Sequence, residues 1–497
     1  MKRRSGRVRY GDPLLERLPL AELVSLAERK LVESGVVARA ARSSLYRERW
    51  AAAGIDACAV RSYQDLRAIP YTCSADLRSA LETYPAGELI CSEDVRLWVS
   101  TSGTTGKAKW IPRSDKDLAI SRELGLRAMR LPTGGPADMP DGGTALGLTA
   151  PAPFVTDSTA ATSAVDGLLL GLPGEIIALN YTEAADALLF ALIRKPDSFL
   201  AFPSIAMRMA EVISQNATRL AREMLRQRFT ALHLLAYWVS RIKTVRVRDL
   251  VRFRWGGFTG EPLAPYRQAI RAAYGFDPSE FYAFSEFLGT MGDCYLHQGL
   301  HLWADQIIAE VIPEVELERE ETSPGTPPSA VPLWEAPPGL RGDLVVTNFA
   351  DALPLVRYRT SDLIEVVSTE PCACGRTHPR IRVLHRADDF VNLGIVRFSI
   401  YELAACMDHV PGLRRWQLVI RRQGYKPLGI VRVEPMVSPA DVESWKALIL
   451  EQVRSLEAIR LGEENQLIAP VAVELVAAGE DRRTSSGKLR LVVYEDY

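Results

Sequence analysis

The chain has 497 residues, enough for about three domains or for a large core plus a smaller appended unit. Its 60 Lys+Arg nearly balance 61 Asp+Glu, so no global positive field exists to attract nucleic acid or an anionic membrane. The apolar share of 47% and the charged share of 24% are those of a globular protein and exclude disordered, collagen-like and coiled-coil classes. Seven scattered cysteines do not make a disulfide scaffold and indicate a reducing compartment.

The N-terminal segment is charged too often for the apolar core of a signal peptide. Glu16, Arg17, Glu22 and Glu28 interrupt its apolar runs. Elsewhere no run approaches the roughly 18 uncharged apolar residues that a membrane-spanning helix needs. The sequence therefore predicts a cytoplasmic protein with neither a membrane nor a nucleic-acid partner.

The predicted elements, taken in chain order, indicate an α/β core. Leucines at helical spacing predict helices in the first part of the chain, up to about residue 90. Between residues 98 and 290, short β-rich runs at 97–99, 144–148 and 176–179 alternate with longer helical stretches at 205–235 and 265–274. Ligands of such a core are expected at the strand ends.

The later part of the chain changes pattern twice. Residues 321–340 hold six prolines in twenty positions and predict an insertion or surface loop. Two β-rich runs follow, at 343–348 and 354–359, and after Arg386 the alternation of strand and helix starts again. We therefore predict a large domain over residues 1–385 and a small C-terminal domain over residues 386–497.

A run of hydroxyl, glycine and lysine residues follows the predicted strand at 97–99. In this segment, residues 100–109, glycines let backbone N–H groups converge on anionic oxygens, while hydroxyl and ammonium groups add donors. It is not a Walker loop, because Gly103 and Gly106 are only three residues apart and Lys107 precedes Ala108. The segment alone fits either a phosphate-binding loop or a polar turn.

Further motifs follow this segment in a fixed order, and together they decide between the two interpretations. They are Gly260-Glu-Pro262, Tyr282-Ala-Phe-Ser-Glu-Phe287, Gly299-Leu-His-Leu-Trp303, Leu353-Pro-Leu-Val-Arg-Tyr-Arg-Thr-Ser-Asp362, Cys372-Ala-Cys-Gly-Arg-Thr-His-Pro379, His385-Arg-Ala-Asp-Asp389 and Ser486-Gly-Lys488. From about residue 54 to residue 488, the chain resembles the adenylate-forming enzymes and, within them, the phenylacetate-CoA ligase-like branch. The resemblance implies an α/β fold with a large N-terminal core of mixed sheets and helices and a small mobile α+β C-terminal lid.

The resemblance also implies a reaction, in which ATP converts a carboxylate into acyl-AMP and releases pyrophosphate. Charge collects between two anions in that step, so the site must supply cations and preorganised donors. The resemblance assigns this catalytic role to Lys488, which read alone would be a surface charge. It assigns Mg²⁺ to Glu286, which read alone would be an exposed helix-cap acid.

The nucleotide contacts implied by the resemblance lie in several motifs. Tyr282 would stack on adenine, Asp362 would accept hydrogen bonds from the ribose hydroxyls, and Arg386 would contact ribose or phosphate. Family members usually carry glycine in place of Ser361. The full ATP/AMP-binding set is Ser102, Gly103, Thr104, Thr105, Gly106, Lys107, Gly260, Glu261, Pro262, Tyr282, Ser285, Asp362 and Arg386.

A hinge is implied at Asp388, which on its own would be an ordinary turn residue. Lys488 must reach the phosphate during adenylation and then leave, so that a second nucleophile can enter. A small domain that swings about Asp388 would satisfy both demands.

A set of zinc-type ligands occurs outside the nucleotide motifs. Cys294, His301, Cys372 and Cys374 would make a tetrahedral structural zinc site. Two other histidines, His297 and His378, are alternatives to His301. The cysteines are otherwise ordinary buried packing residues.

The acid substrate is expected to be aromatic. Phe154, Phe202 and Phe284 would give its pocket an apolar lining, which suits a flat aryl acid better than an amino acid with a buried ammonium group. The same side chains also fit an ordinary core.

The acceptor is judged from residues 392–402, where CoA ligases of this family carry a polar loop that lines the pantetheine passage. That loop is altered here, which favours an amide synthetase of bacterial secondary metabolism, such as antibiotic biosynthesis, acting on a small-molecule acid and an amine. An aryl-CoA ligase is the alternative, and CoA would be a cofactor only in that case, beside ATP and Mg²⁺ in both. An inactive nucleotide-binding regulator and a carrier-protein-loading enzyme are two further hypotheses.

Overall fold

The computed structural model describes residues 15–92, 94–100, 109–129, 143–149, 174–180, 195–227, 231–242, 244–260, 263–284, 286–323, 325–386, 390–393, 396–423, 426–437, 439, 441–464, 468–477 and 491–495. The chain divides into two compact units, Met1–Val383 and Leu384–Tyr497. This division falls two residues before the boundary that the sequence predicts.

The described residues form helices in both units. Their bounds are α1 Leu20–Glu33, α2 Val36–Ala40, α3 Arg47–Ala52, α4 Tyr63–Leu66, α5 Ser74–Thr83, α6 Ala86–Leu89, α7 Asp115–Met129, α8 Pro203–Gln227, α9 Ala231–Ile242, α10 Val247–Leu250, α11 Arg267–Tyr274, α12 Glu314–Thr322, α13 Ile400–Met407, α14 Val442–Arg454 and α15 Glu457–Glu464.

The strands alternate with these helices along most of the chain. Their bounds are β1 Val95–Ser100, β2 Trp110–Ser114, β3 Gly143–Thr149, β4 Gly174–Asn180, β5 Ser198–Ala201, β6 Trp255–Phe258, β7 Pro278–Tyr282, β8 Met291–Asp293, β9 Leu300–His301, β10 Ile307–Pro313, β11 Val331–Pro332, β12 Arg341–Asn348, β13 Tyr358–Ser368, β14 Arg380–Arg386, β15 Phe390–Leu393, β16 Val396–Ser399, β17 Leu413–Gln423, β18 Lys426–Pro435, β19 Ala469–Leu475 and β20 Val492–Tyr494.

A long sheet forms the centre of the larger unit, with strand order β11-β10-β12-β13-β14-β9-β8-β7-β6-β5-β3-β4 among the described residues. The strands from β4 to β7 pair in parallel, whereas the pairs β7·β8, β8·β9, β10·β12 and β12·β13 are antiparallel. In a parallel sheet all carboxyl ends meet at one edge, where α/β proteins bind ligands. Phe202, Gly260 and Tyr282 lie at the carboxyl ends of β5, β6 and β7 and are therefore at that edge.

Helices cover this sheet with apolar faces at the expected spacing. Helix α1 buries Leu23, Ala27 and Leu31, which are four residues apart along the helix. The first half of α8 buries Ile205 and Met209 in the same way, in the core cluster around Phe199 and Phe258. The mixed α/β class predicted from the sequence is confirmed.

The proline-rich segment is only partly as predicted. Val331–Pro332 forms β11 at the outer edge of the long sheet, paired with β10, where proline does not interrupt a ladder on both sides. Leu333 and Ala336 are buried behind this strand. The surface-loop prediction is therefore wrong for residues 331–336, because apolar residues between the prolines pack against the core. The predicted strand at 354–359 is also too early, since β13 begins at Tyr358.

The smaller unit is built around a separate core. Strands β15 and β16 form a hairpin, and a sheet of order β19-β18-β17-β20 packs with α13, α14 and α15. Leu403, Val431 and Ile449 lie fully buried in its centre. Among the residues that the structure describes in both units, no helix is long and apolar enough to cross a bilayer.

Candidate functional site

Two segments of the larger unit lie against each other at two matched points. At the end of β7, the Tyr282 hydroxyl donates a hydrogen bond to Oδ2 of Asp362. The Tyr358 hydroxyl donates a hydrogen bond to Oε1 of Glu286 at 3.1 Å. Glu286 lies four residues after Tyr282, and Tyr358 lies four residues before Asp362. The residues predicted to bind adenine, ribose and Mg²⁺ therefore lie along one shared seam.

A bulge in β13 aims Asp362 toward this seam. The pairing of β13 with β12 shifts register between Asp343 and Val345, and Ser361 has a φ of 60°, in the left-handed region. The Thr360 hydroxyl donates to Leu344 O at 2.8 Å and accepts from the backbone N–H of Asp362 at 3.0 Å. Because a left-handed residue costs least as glycine, this conformation explains why relatives would carry glycine where Ser361 stands.

Glu286 is buried and forms an ion pair with Lys109. The Lys109 ammonium donates to Glu286 Oε1, and both side chains are only 7% exposed. Lys109 also donates to Ser74 Oγ at 2.8 Å, at the first residue of α5. The Asn348 side-chain amide donates to the backbone carbonyl of Glu286 at 3.1 Å, which fixes the segment that carries the acid.

This environment fits a magnesium ion bound with a nucleotide. Mg²⁺ prefers oxygen ligands and commonly takes one or two protein carboxylates together with phosphate oxygens. Glu286 presents a buried carboxylate, the hydroxyl oxygens of Ser74 and Tyr358 lie near it, and the Lys109 ammonium marks the position of a cation on Oε1. Glu286 is the residue that would hold the metal.

Strands β1 and β2 flank the predicted phosphate-binding segment. They pair antiparallel, with Ser100 opposite Trp110. Gly260, after β6, has a φ of 81° and marks a turn there. The remaining predicted residues of the nucleotide site, hinge and lid lie outside the described residues, and Arg386 is described only as the last residue of β14. Those outside are Ser102, Gly103, Thr104, Thr105, Gly106, Lys107, Glu261, Pro262, Ser285, Asp388 and Lys488.

The two described residues of the predicted acid pocket pack against different apolar clusters. Phe202 packs against the apolar cluster that holds Phe199, whereas Phe284 belongs to another cluster with Tyr282 and Phe287. The third predicted residue, Phe154, lies outside the described residues. Phe284, with its ring centroid 5.4 Å from that of Tyr282, is the predicted pocket residue next to the seam.

The predicted zinc ligands do come together. The ligand atoms of Cys294, His301, Cys372 and Cys374 all lie within 4.8 Å of one another. Cys294 Sγ is 3.9 Å from Cys372 Sγ, and Cys374 Sγ is 3.6 Å from His301 Nε2. Tetrahedral zinc with ordinary bond lengths requires about 3.8 Å between sulfurs and about 3.6 Å between sulfur and nitrogen. Donor set and spacing both fit a structural zinc ion.

Contacts within the cluster shift the pKa values of its members. A hydrogen bond from Cys294 holds the pKa of the Cys374 thiol far below its usual range and raises the pKa of Cys294. Burial opposes protonation of His301, but its contacts with Cys372 and Cys374 raise its pKa above the ordinary value. Thiolate character in a buried group of this kind is the state that binds a cation.

The two alternative histidines have other partners. His297 Nδ1 lies 2.6 Å from Asp293 Oδ2, and this contact raises the pKa of His297. His378 is fully buried, burial lowers its pKa to about 4, and Arg127 donates to its Nε2 at 3.0 Å. Only His301 among these three histidines belongs to the cysteine cluster.

The sequence does not predict which residues surround Glu286. Lys109 was visible as the second lysine of the phosphate-loop segment, and Tyr358 stands inside the motif that ends at Asp362. Ser74 and Asn348 have no such signal, because they are ordinary polar residues far from Glu286 in the chain. Their roles depend on tertiary contacts.

No protein-family model matches the chain. The chain is 26% identical over 509 residues to the phenylacetate-coenzyme A ligase of Thermus thermophilus, which covers 97% of this chain and 98% of that relative. The phenylacetate-coenzyme A ligase of Escherichia coli is 23% identical over 400 residues, which cover 78% of this chain and 77% of that relative.

Two solved structures share the fold. The 2-hydroxyisobutyryl-CoA ligase in its postadenylation state, in complex with 2-HIB-AMP, superposes with a TM-score of 0.72 at 21% identity, over 100% of this chain and 94% of that chain. The acyl acid amido synthetase AtGH3.15 in complex with 2,4-DB gives a TM-score of 0.68 at 16% identity, over 94% of this chain and 88% of that chain.

Proposed function

We propose that the chain, which is similar to a phenylacetate-coenzyme A ligase along nearly its whole length, is an AMP-forming ligase of this branch and joins an aromatic carboxylic acid to an amine through an acyl-adenylate. The observation that carries the adenylation half is the seam between residues 282–286 and 358–362. It gathers the predicted adenine, ribose and metal contacts although their positions in the sequence are far apart.

The residues of the seam divide the work of binding ATP. The Tyr282 ring stacks on the adenine, and its hydroxyl orients Asp362. Asp362 accepts hydrogen bonds from the ribose hydroxyls. Glu286 would hold a magnesium ion, which would neutralise charge on the nucleotide phosphates. The segment 102–107 supplies further donors to these phosphates, as at other glycine-rich phosphate sites.

The remaining steps depend on the C-terminal unit. Lys488 stabilises the charge that develops between the carboxylate and the α-phosphate during adenylation. A swing about Asp388 then removes Lys488 and lets the second nucleophile reach the acyl carbon. The leaving AMP takes the electron pair of the broken acyl–phosphate bond, and the acceptor loses its proton.

The preference for an amine rests on residues 392–402, of which the structure describes 392–393 and 396–402. Here β15 and β16 form a tight hairpin, with Leu393 opposite Val396. Val391, Leu393, Val396 and Phe398 are buried in the core of the smaller unit. These four side chains belong to that core, and the preference for an amine rests on the altered sequence of the loop.

CoA remains the second candidate acceptor, favoured by one specific observation. The relative that matches along nearly the whole chain is named a phenylacetate-coenzyme A ligase. The amine and CoA candidates share the adenylation half and differ only in the second nucleophile.

Two parallel incubations distinguish the amine from CoA as the acceptor. The purified chain receives ATP, Mg²⁺ and an aryl acid, with an amine alone in one sample and CoA alone in the other. The proposal expects amide and no thioester, whereas thioester without amide would overturn it. The reaction without acid is the control.

The cysteine cluster adds a structural part to the proposal. We infer that Cys294, His301, Cys372 and Cys374 bind one zinc ion that ties the loop after β13 to the β8–β9 connection. All four ligand positions are filled by protein, which is the arrangement of a structural site and not of a catalytic one.

A further inference from the structure

The carboxylate that would hold magnesium already holds an ammonium group. Lys109 Nζ donates to Oε1 of Glu286, and the two side chains are equally buried. An unpaired carboxylate at this depth would be costly, so Lys109 neutralises Glu286. The contacts of the ammonium group include oxygens of Glu286, of Ser74 at 2.8 Å and of Tyr358 at 3.4 Å.

We propose that Lys109 is a positioning residue that competes with Mg²⁺ for Oε1 of Glu286 and gives up this oxygen when the metal arrives with the nucleotide. The proposal rests on the proposed function, in which Glu286 is the metal ligand. Mg²⁺ binds carboxylate oxygens at about 2.0–2.1 Å, and a second positive charge on the same oxygen would be strongly repelled in a buried site.

The surroundings of Lys109 allow this exchange. The lysine stem is flexible and its ammonium has three rotatable donors, so loss of one acceptor does not release the side chain. Ser74 Oγ stays available as an anchor at 2.8 Å. Lys109 is the last residue of the predicted phosphate-binding segment, so nucleotide phosphates are the nearest new acceptors that the chain order offers.

Competition and a purely structural ion pair predict opposite changes in the Mg²⁺ concentration that nucleotide binding requires. If Lys109 competes with the metal, removal of its charge lowers the Mg²⁺ concentration that nucleotide binding requires. If Lys109 only supports the metal site, or binds phosphate together with the metal, the same change raises that concentration.

The test measures binding of α,β-methylene-ATP by calorimetry over a range of Mg²⁺ concentrations, without any acid. Lys109→Gln should lower the half-saturating Mg²⁺ concentration by about ten- to hundredfold, the range for loss of a hydrogen bond between charged groups. The matched variant Tyr358→Phe removes another donor to Oε1 but keeps the ammonium, and it should change this concentration less than about fivefold. An unchanged or raised concentration in Lys109→Gln overturns the proposal.

Two further variants keep the test decisive. If Lys109→Gln does not fold, Lys109→Arg retains a cation that pairs more firmly with carboxylates and should raise the half-saturating concentration, whereas no rise overturns the proposal. Glu286→Gln tests the premise separately. If this variant keeps the wild-type magnesium requirement, Glu286 is not the metal ligand and the metal assignment of the proposed function fails with it.

Discussion

At the scale of single residues, Ser361 has a strained left-handed backbone that positions the neighbouring Asp362. Its left-handed backbone gives β13 the bulge that directs Asp362 to Tyr282. Strain of this kind persists where the surrounding structure imposes it, often beside a ligand site. The resemblance identified this position by its missing glycine, and the backbone angle supplies the physical reason.

Ser361→Gly should therefore stabilise the protein. Glycine removes a left-handed penalty of about 1–2 kcal/mol, and its greater freedom in the unfolded chain returns part of this. We expect a net gain of about 0.5–1 kcal/mol in the free energy of unfolding by urea. Ser361→Ala keeps the strained backbone and should show no such gain. Equal effects of the two variants would contradict a conformational cause.

Glu280 makes stability depend on pH. Burial, followed by the nearby charge of Asp293, raises the pKa of Glu280 from its ordinary value of 4.5 to about 7. The native state thus binds this proton more tightly than the unfolded state. Its contribution is fully present below about pH 4.5 and is lost as the pH rises through 7.

Glu280→Gln should abolish that loss. The stability advantage of the variant over wild type should grow between pH 5 and pH 8, by on the order of 1–3 kcal/mol, because glutamine has no charge to bury. Melting curves at several pH values measure it, with exposed Glu48→Gln as a control. A difference that does not vary with pH would contradict the assignment.

Lys488 is also a single-residue test, because the proposal assigns this side chain to adenylation and not to transfer. Lys488→Ala should lose acid-dependent pyrophosphate–ATP exchange by orders of magnitude, yet still convert a chemically prepared acyl-AMP when the acceptor is supplied. Comparable losses in both half-reactions would show that the lysine has another role.

At the scale of elements, the cysteine cluster joins strands that are distant in sequence. Cys294 follows β8, His301 ends β9, and Cys372 and Cys374 lie between β13 and β14. A metal ion there would stabilise the antiparallel half of the long sheet, because binding free energy adds to folding free energy.

Purified protein should accordingly contain about one zinc ion per chain by elemental analysis. Cys374→Ser should lose the metal and melt at a lower temperature, since a tetrahedral site needs all four ligands. Cys58→Ser changes an exposed cysteine and should do neither. Zinc-free wild-type protein with an undiminished melting temperature would leave the cluster as packing.

The elements also show where sequence reasoning succeeds. The predicted strands at 97–99, 144–148 and 176–179 are confirmed as β1, β3 and β4, because apolar β-rich runs between turns carry a strong local signal. The proline-rich segment misled because its composition concealed the buried Leu333. Proline content predicts backbone restriction, but it does not decide which neighbouring side chains reach the core.

At the scale of the whole molecule, the ordered motifs predicted the fold class and the family. They predicted that Tyr282 and Asp362 bind one nucleotide, and these two side chains lie in hydrogen-bond contact. The pairing of Lys109 with Glu286 was not predictable in this way, because 177 residues separate the partners and no local pattern records the contact. Long-range contacts of this kind are properties of the packed chain.

The central claim is that this chain activates a carboxylic acid with ATP. Acid-dependent pyrophosphate–ATP exchange, measured across a panel of aryl acids without amine or CoA, tests it most directly. The account predicts exchange that requires Mg²⁺, is strongest with one group of aromatic acids and falls by orders of magnitude in Glu286→Gln. Folded wild-type protein that shows no exchange with any acid of the panel would contradict the account.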